Sequence, residues 1–136
     1  MLKQVSIYAE NKKGAMQNIT SMLADSGINI LGSVTNDSAE FGIVRMISTE
    51  PERAKEILVA NGYLAKLSNV LGVEVADEVG NLNKLLMALQ ESNINVNYIY
   101  LSFNRESAKP VMVFHTDDCE GVEQCLKAKG FRMTEV

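Results

Sequence analysis

The sequence predicts an α+β fold in which one βαββαβ pattern occurs twice, and three observations support that prediction. Residues recur at a nearly constant offset, strand-like and helix-like apolar periods follow in the same order in each half, and a glycine or asparagine follows each helical stretch. Five residues of the first half recur 66 positions later, as Gly80, Leu89, Ser92, Ile94 and Asn95. After a two-residue insertion the offset becomes 68 and holds to the end of the chain. The chain therefore divides into repeat one, residues 1–68, and repeat two, residues 69–136.

Strands and first helices follow in the same order in both repeats. Runs rich in β-forming residues predict first strands at 5–9 and 71–76 and third strands at 43–47 and 111–115. Second strands begin at Ile28 and Ile94, and a fourth strand ends each repeat. Apolar residues at helical spacing predict a helix between the first two strands, at Met16, Ile19 and Leu23 and at Leu82, Leu85 and Leu89. Two helices on one face of an antiparallel sheet give each repeat a ferredoxin-like fold.

The second helix of each repeat has start and stop signals. Thr49 lies three residues before Glu52, and Asp117 lies three residues before Glu120, so both pairs resemble capping boxes. The residues expected at the C-terminal ends of these helices are Gly62 and Gly130.

Composition excludes several classes of function. Of the 136 residues 46% are hydrophobic and 22% charged, as in an ordinary globular protein, and the net charge of −4 argues against nucleic-acid binding. Neither a signal peptide nor an apolar run long enough to span a membrane is recognisable. Cys119, Cys125 and His115 do not have metal-ligand spacing, so we expect no metal site and a reducing, cytoplasmic compartment.

Two short motifs carry a family resemblance. Asn-Lys-Lys-Gly at 11–14 precedes the first helix, and Gly-Ile-Asn-Ile at 27–30 opens the second strand. Repeat two has Asp-Glu-Val-Gly at 77–80 and Asn-Ile-Asn-Val at 93–96. In this order and spacing the chain resembles tandem ACT domains, and the segment 37–45 resembles small stand-alone proteins of that family. The resemblance implies a regulatory module that binds a free amino acid, with no cofactor and with a regulated enzyme partner that the sequence does not identify.

The turn between the first strand and first helix has physical properties that suit such a ligand. A glycine there lets backbone amides approach a bound group, and a helix N-terminus favours a carboxylate. We expect the amides around Gly14 and Ala15 to hold a carboxylate, and Asn11, with carbonyls near residues 29–31 of an adjoining unit, to receive an ammonium group. The candidate ligand-binding residues are Asn11, Lys13, Gly14, Ala15, Met16, Asn29, Ile30, Leu31, Ser33, Asp37, Phe41, Asp77, Gly80 and Asn95.

The two turns differ in charge. Lys12 and Lys13 favour an anion beside the first turn, whereas Asp77 and Glu78 place two negative charges beside the second, where they could still hold an ammonium group. A glycine in such a turn also has a purely conformational explanation, and the neighbouring Asn or Asp has a second explanation as a helix cap.

Two other functions compete with ligand sensing. A small enzyme on the same fold, such as an acylphosphatase, would need an arginine in a glycine-containing loop and a catalytic asparagine, and neither turn contains an arginine. No serine or cysteine has a visible base and orienting partner, so we predict no catalytic residues. The alternative that remains is a ligand-free assembly or protein-interaction module of the same fold.

The second strand of repeat two predicts a homodimer. It carries six apolar or aromatic residues, Val96, Tyr98, Ile99, Tyr100, Leu101 and Phe103. This is more apolar surface than a sheet with one open face needs, and such surfaces usually mark contacts. Repeat one could instead cover part of it.

Overall fold

A computed structural model describes residues 1–10, 12–37 and 41–134, and for Asp37 and Phe41 it describes the backbone alone. Within these residues the elements are β1 (Leu2–Glu10), α1 (Ala15–Asp25), β2 (Ile30–Asp37), β3 (Phe41–Ser48), α2 (Pro51–Ala60), β4 (Leu64–Glu74), α3 (Asn81–Glu91), β5 (Tyr98–Phe103), β6 (Pro110–His115), α4 (Cys119–Ala128) and β7 (Arg132–Met133). The chain forms two compact units. The first unit is Lys3–Ser68, and the second unit is Met1–Leu2 with Asn69–Val136.

In the first unit, β3 pairs antiparallel with β1 on one side and with β2 on the other. Residues that face each other across the strands include Ala9 with Gly42 and Thr35 with Val44. Alternate residues of the strands pack against α1 and α2, and together they form the core: Val5, Ile7, Ala9, Ile19, Leu23, Ile28, Val44, Met46, Ala54, Leu58 and Ala65. This is the predicted arrangement of an antiparallel sheet with both helices on one face.

The second unit repeats this plan. There, β6 pairs antiparallel with β4 and β5, and β7 pairs with β4. Its core lies between these strands and the helices α3 and α4, and it consists of Leu71, Val73, Leu85, Leu89, Phe114, Val122 and Leu126. The predicted fold class, two βαββαβ repeats with antiparallel strands, is confirmed.

Strand register locates the two-residue insertion between the repeats. In the first unit Asp37 faces Gly42, and in the second Phe103 faces Pro110. Residues up to Asp37 therefore correspond to residues 66 positions later in the sequence. Residues from Gly42 onward correspond to residues 68 positions later. The insertion lies in the β5–β6 turn.

All four helices are followed by a left-handed residue, as the sequence predicts from the glycine or asparagine after each helical stretch. Gly27, Gly62 and Gly130 have φ of 72°, 89° and 89°, and Asn93 follows α3 with φ of 57°. Glycine adopts this conformation without steric penalty and asparagine with a small one, so these residues fix where each helix ends.

The predicted capping boxes of α2 and α4 are wrong by one residue. Pro51 is the first residue of α2, so the N-cap is Glu50, and Thr49 instead accepts a hydrogen bond from the Asn29 amide at 3.1 Å. In α4 the N-cap is Asp118, whose carboxylate accepts from the Gly121 amide at 3.1 Å. In α2 the start is set by Pro51, because proline is favoured at the first helical position. In α4 Asp117 and Asp118 are both good caps, and sequence alone does not decide between them.

A buried carboxylate organises the β5–β6 turn of the second unit. The Glu74 side chain is only 5% exposed. Its Oε1 accepts hydrogen bonds from Asn104 Nδ2 at 2.6 Å and from Ser107 Oγ at 3.3 Å, and its Oε2 lies 3.4 Å from Arg132 Nε. A carboxylate is costly to bury unless it is paired and hydrogen-bonded. Asn104 and Ser107 hydrogen-bond Oε1, and Arg132 forms an ion pair with Oε2, which accepts no hydrogen bond among the described residues.

Among the described residues, no helix combines the length and apolar character needed to cross a membrane.

Candidate functional site

The turns before α1 and α3 have the same backbone geometry. Gly14 precedes α1 with φ of 86°, and Gly80 precedes α3 with φ of 90°. In each turn the carbonyl of that glycine accepts the first helical hydrogen bond, from Asn18 and from Lys84, at 2.9 Å. Both glycines therefore satisfy a conformational requirement, which holds whether or not a ligand binds there.

A crevice of about 180 Å³ opens beside the first turn. It lies between the end of β1, the first turn of α1 and the neighbouring parts of β2 and β3. Its lining residues are mostly small: Ala9, Glu10, Lys12, Ala15, Met16, Thr35, Gly42 and Val44. Gly42 faces Ala9 across the β1–β3 pair, so two positions that would otherwise fill the floor have little or no side chain.

The crevice has a positive and a negative group at its rim. Lys12 Nζ lies 3.2 Å from the Glu10 carboxylate, and both side chains are exposed. An exposed pair of this kind contributes little to stability, so either partner can turn to a ligand at small cost. The rim therefore offers one group for a carboxylate and one for an ammonium.

Backbone amides at the start of α1 point out of the helix. The Ala15 amide, which we expected to hold a carboxylate, donates to the Lys12 carbonyl at 3.2 Å. The next two amides, of Met16 and Gln17, belong to the first turn and have no acceptor within the helix. No side chain of the described residues caps them. Because the helix N-terminus also carries a partial positive charge, these amides complement an anion.

The predicted residues of repeat one differ in where they lie relative to the crevice. Ala15 and Met16 line the crevice, and Gly14 adjoins them. The exposed side chains of Lys13 and Ser33 lie outside its lining. Asp37 and Phe41 are brought to the same end of the sheet by their pairing with Gly42 and Glu10. Asn11 lies outside the described residues.

Asn29, Ile30 and Leu31 lie at the other end of α1, about 16 Å from the turn for a helix of this length. The Asn29 amide donates to Thr49 Oγ1, and the Asn29 carbonyl accepts from the Thr49 amide at 3.0 Å. These residues therefore do not join the crevice of their own unit. Their predicted contribution from an adjoining unit stays a prediction.

The second turn has larger side chains at the positions that line the first crevice. Ala9, Ala15, Thr35, Gly42 and Val44 correspond by strand register and offset to Val75, Asn81, Leu101, Pro110 and Met112. The Asn81 side chain also crosses the turn, where its Nδ2 donates to the Ala76 carbonyl at 2.9 Å. The predicted residues Asp77 and Gly80 are both exposed at this turn.

The predicted residue Asn95 lies in a different cavity of the second unit. That cavity measures about 430 Å³ and is also lined by Thr116, Asp117 and Asp118. Its wall includes the start of α4, where Asp118 already caps the Gly121 amide. At this helix start the Gly121 amide is therefore already occupied by a side chain, whereas the start of α1 has no side-chain cap.

A wider groove of about 700 Å³ adjoins the crevice in the first unit. It shares Ala9, Glu10 and Lys12 with the crevice and continues past Tyr8 and Tyr63. Neither Glu10, Gly42 nor this groove was expected from the sequence. Aligning the two repeats and seeking positions that are small in one and large in the other would have found Gly42.

The family model for an ACT domain pair matches residues 1–134. The chain belongs to the ACT domain pair family. ACT domains are regulatory modules rather than catalytic ones, which agrees with the resemblance of the turn motifs. No curated protein matches this ACT domain pair in sequence.

Solved structures share the fold over nearly the whole chain. A protein from Bacteroides thetaiotaomicron is 28% identical with a TM-score of 0.88, and the match covers 98% of this chain and 91% of that one. The regulatory subunit of aspartate kinase from Thermus thermophilus, in a ligand-free form, is 18% identical with a TM-score of 0.67, covering 94% and 90%. The corresponding subunit from Thermus flavus is 16% identical with a TM-score of 0.62, covering 93% and 88%. The two aspartate kinase subunits show the likeness of fold alone.

Proposed function

We propose that this ACT domain pair is a non-catalytic regulatory module that binds a free amino acid, or a similar small carboxylate, in the crevice of the first unit. The observation that carries the proposal is the crevice itself, because it joins free helix amides, a lysine and a glutamate beside small side chains. The larger residues at the corresponding positions of the second unit support a single site per chain.

The charges at the rim match an amino acid in its zwitterionic form. The α-carboxylate is held by the amides of Met16 and Gln17 at the N-terminus of α1, with Lys12 beside it. The α-ammonium is held by the Glu10 carboxylate, which accepts in place of its present bond to Lys12. Thr35 and Met16 line the remaining space and contact the ligand side chain.

The size of the crevice sets the size of the ligand. A volume of about 180 Å³ is roughly six times the ~30 Å³ that a water molecule occupies in the liquid. It is smaller than the ~300–1,000 Å³ typical of sites for drug-sized molecules. This favours a single small amino acid over a nucleotide or a peptide.

Binding is tested first with a thermal-shift screen of the twenty amino acids at millimolar concentration. A ligand that binds only the folded chain raises its melting temperature by mass action. Calorimetric titration of the amino acid that stabilises most should then give one site per chain. Absence of any shift across the screen would contradict the proposal and favour the ligand-free assembly module.

A pair of variants on β2 locates the site. Thr35→Leu introduces the residue that the second unit has at this position, fills the crevice and should weaken binding by at least about tenfold, or 1.4 kcal/mol. Asn36→Leu adds the same bulk to the neighbouring exposed residue, which points to the other face of the strand, and should bind as the wild type does. Equal affinity of the two variants would place the site elsewhere.

The setting of the module is part of the same proposal. Cys119 and Cys125 are both free thiols, which suits a reducing, cytoplasmic compartment. Regulation requires that the ligand-bound chain act on another protein. The residues of the crevice determine the ligand and do not indicate the class of that enzyme partner. The homodimer expected from the second strand of repeat two is a separate prediction.

A further inference from the structure

The cavity of about 430 Å³ in the second unit lies at a place where the first unit carries an arginine side chain. By the offset of 68, its lining residues Asp118 and Gly121 correspond to Glu50 and Arg53. In the first unit Arg53 Nη1 lies 3.1 Å from Glu50 Oε2, so a guanidinium group rests against the carboxylate at the start of α2. The second unit keeps a carboxylate at the start of α4 and has a glycine in place of the arginine. The first unit therefore indicates which chemical group suits this cavity.

Smaller side chains open the cavity onto an apolar floor. Gly121 has no side chain, and Cys125 stands where the first unit has the larger Ile57. In the first unit Ile28 is only 4% exposed and belongs to the core. Its counterpart Ile94 is partly buried and lines the cavity. An alkyl chain that lies on Ile94 would complete this packing.

The rim of the cavity is negatively charged. Asp117 and Asp118 are both exposed there, and no lysine or arginine lines the cavity among the described residues. Asp117 Oδ1 accepts a hydrogen bond from Asn97 Nδ2 at 3.1 Å. This donor and the Gly121 amide that bonds to Asp118 are uncharged, so neither bond neutralises a carboxylate. The C-terminal end of α3, at Ser92, adds the partial negative charge of a helix dipole.

Gly121 also determines where the Asp118 carboxylate lies. A Cβ at position 121 would overlap Asp118 Oδ2, so this carboxylate can cap α4 only because residue 121 is glycine. In the first unit the longer Glu50 makes no side-chain cap to α2 and pairs with Arg53 instead. The exchange of arginine for glycine thus removes a cation from the chain and leaves a carboxylate at the wall of the cavity.

We propose that this cavity binds a small alkylguanidinium compound that has no carboxylate of its own. The planar guanidinium donates to the carboxylates of Asp117 and Asp118, because its N–H groups match carboxylate geometry. The alkyl chain packs on Ile94 and Val122. A carboxylate on the ligand would be repelled by both aspartates, which separates this site from the crevice of the first unit. The inference is independent of amino-acid binding in that crevice.

An NMR titration of the nitrogen-15-labelled chain with N-propylguanidinium measures binding directly, because this ion is the side chain of arginine alone. Backbone amides of residues 92–95 and 116–122 should shift in a saturable way at millimolar concentration, and those around the first-unit crevice should not. N-propylurea, which has the same shape without the charge, should leave the amides unmoved. Agmatine should bind more tightly than arginine, which differs from it by a carboxylate. An absence of saturable shifts, equal shifts with N-propylurea, or tighter binding of arginine would overturn the proposal.

Two variants test the residues that form the site. Asp118→Asn keeps a helix cap, since asparagine caps as well as aspartate, and should weaken N-propylguanidinium binding roughly fivefold, as expected for loss of one exposed ion pair. Gly121→Arg supplies a guanidinium from the chain itself and should abolish binding. Ala128→Arg, at an exposed residue about two turns further along α4, adds the same side chain outside the cavity and should bind as the wild type does.

Circular dichroism shows whether each variant is folded, and Asp118→Asn decides the question if Gly121→Arg is not. Wild-type affinity in a folded Asp118→Asn or Gly121→Arg would overturn the proposal. An equal loss of affinity in Ala128→Arg would also overturn it, because added charge rather than occupation of the cavity would then explain the effect.

Discussion

The turn before α1 and the turn before α3 share a backbone and differ in what surrounds it. Both place a left-handed glycine at the start of a helix of 11 residues. Around the first, Ala15 and Gly42 leave a crevice, whereas around the second Asn81 and Pro110 occupy the same positions. The glycine is therefore needed for the fold in both units, and only the side chains around it distinguish a binding site from a structural turn.

The corresponding positions on β2 and β5 also differ in character. On β2 Thr35 lines the crevice, and on β5 the corresponding Leu101 is apolar and exposed. A surface that is small and polar suits a small hydrated ligand, whereas a flat apolar one suits another protein. Under the proposed function, the small and polar surface of the first unit is the one that binds the ligand.

The largest effects are expected from substituting valine for each turn glycine. The two variants separate the glycine's conformational role from its role in ligand binding. Gly14→Val and Gly80→Val each force a β-branched residue into the left-handed region, which costs about 1–2 kcal/mol of stability. A Cβ at either position meets no atom within 4 Å, so strain rather than a clash is the cause. Urea unfolding followed by circular dichroism measures both losses.

Only one of these two variants should lose its ligand. The added side chain at Gly14 stands before the free amides of α1, so the affinity for the amino acid should fall at least tenfold. Gly80→Val, with the same strain, should keep the wild-type affinity in a calorimetric titration. If the two variants bind equally well, the first turn is not the site.

Asn81→Ala should have a smaller effect on the second turn. It removes the hydrogen bond from Nδ2 to the Ala76 carbonyl and introduces the residue that the first unit has, Ala15. A net loss of about 0.5–1.5 kcal/mol in unfolding free energy is expected. A matched change at Asn83, which is exposed on the same helix and bonds only to Met87 Sδ among the contacts described, should alter stability less. Equal losses of unfolding free energy in the two variants would contradict a specific contribution of the Asn81–Ala76 hydrogen bond.

The smallest expected effect concerns an exposed ion pair that distinguishes the two units. The Lys3 ammonium donates to the Glu52 carboxylate and lowers the pKa of Glu52, with a backbone hydrogen bond acting in the same direction. A lowered pKa in the folded chain gives a contribution that is present above the unfolded pKa. That contribution is lost as the pH falls through the folded value.

Lys3→Asn introduces the residue that repeat two has at the corresponding position, Asn69. The pKa of Glu52 should then rise toward its ordinary value, which carboxyl-carbon NMR titration follows directly. The wild-type shift should weaken in high salt because both groups are exposed. A pKa of Glu52 that is unchanged in Lys3→Asn would exclude the pair as its cause.

Much of the fold can be predicted from this sequence because its signals are local or repeated. Helix ends follow from residues such as Gly62 and Asn93, and the strand order follows from one pattern found twice. The helix starts were less accurate, since Asp117 and Asp118 are adjacent and both are good caps. Tertiary packing decides between them.

The candidate site could be predicted only in part. Gly14, Ala15 and Met16 lie within one turn and are recognisable together. Thr35 is also a candidate for contact with the ligand side chain, since the second strand runs past that end of the sheet. Gly42 comes from another strand, and the space it leaves depends on register, which short-range pattern does not reveal. The exposed edge of the second strand predicts carbonyls near Asn29 for a site in an adjoining unit, and within its own unit Asn29 lies at the far end of the helix.

The buried Glu74 has a consequence for how the two repeats could diverge. Its counterpart in repeat one is Tyr8, and the counterpart of Arg132 is Leu64, so neither charge is matched in the other copy. A glutamate at this position is tolerated only with Arg132, Asn104 and Ser107 in place, because a buried carboxylate without them is strongly destabilising. Substitutions at these positions are epistatic, because the effect of each on stability depends on which residues occupy the other positions. The residue that can occupy position 74 therefore depends on Arg132, Asn104 and Ser107 together, which come from three separate parts of the second repeat's sequence and fold.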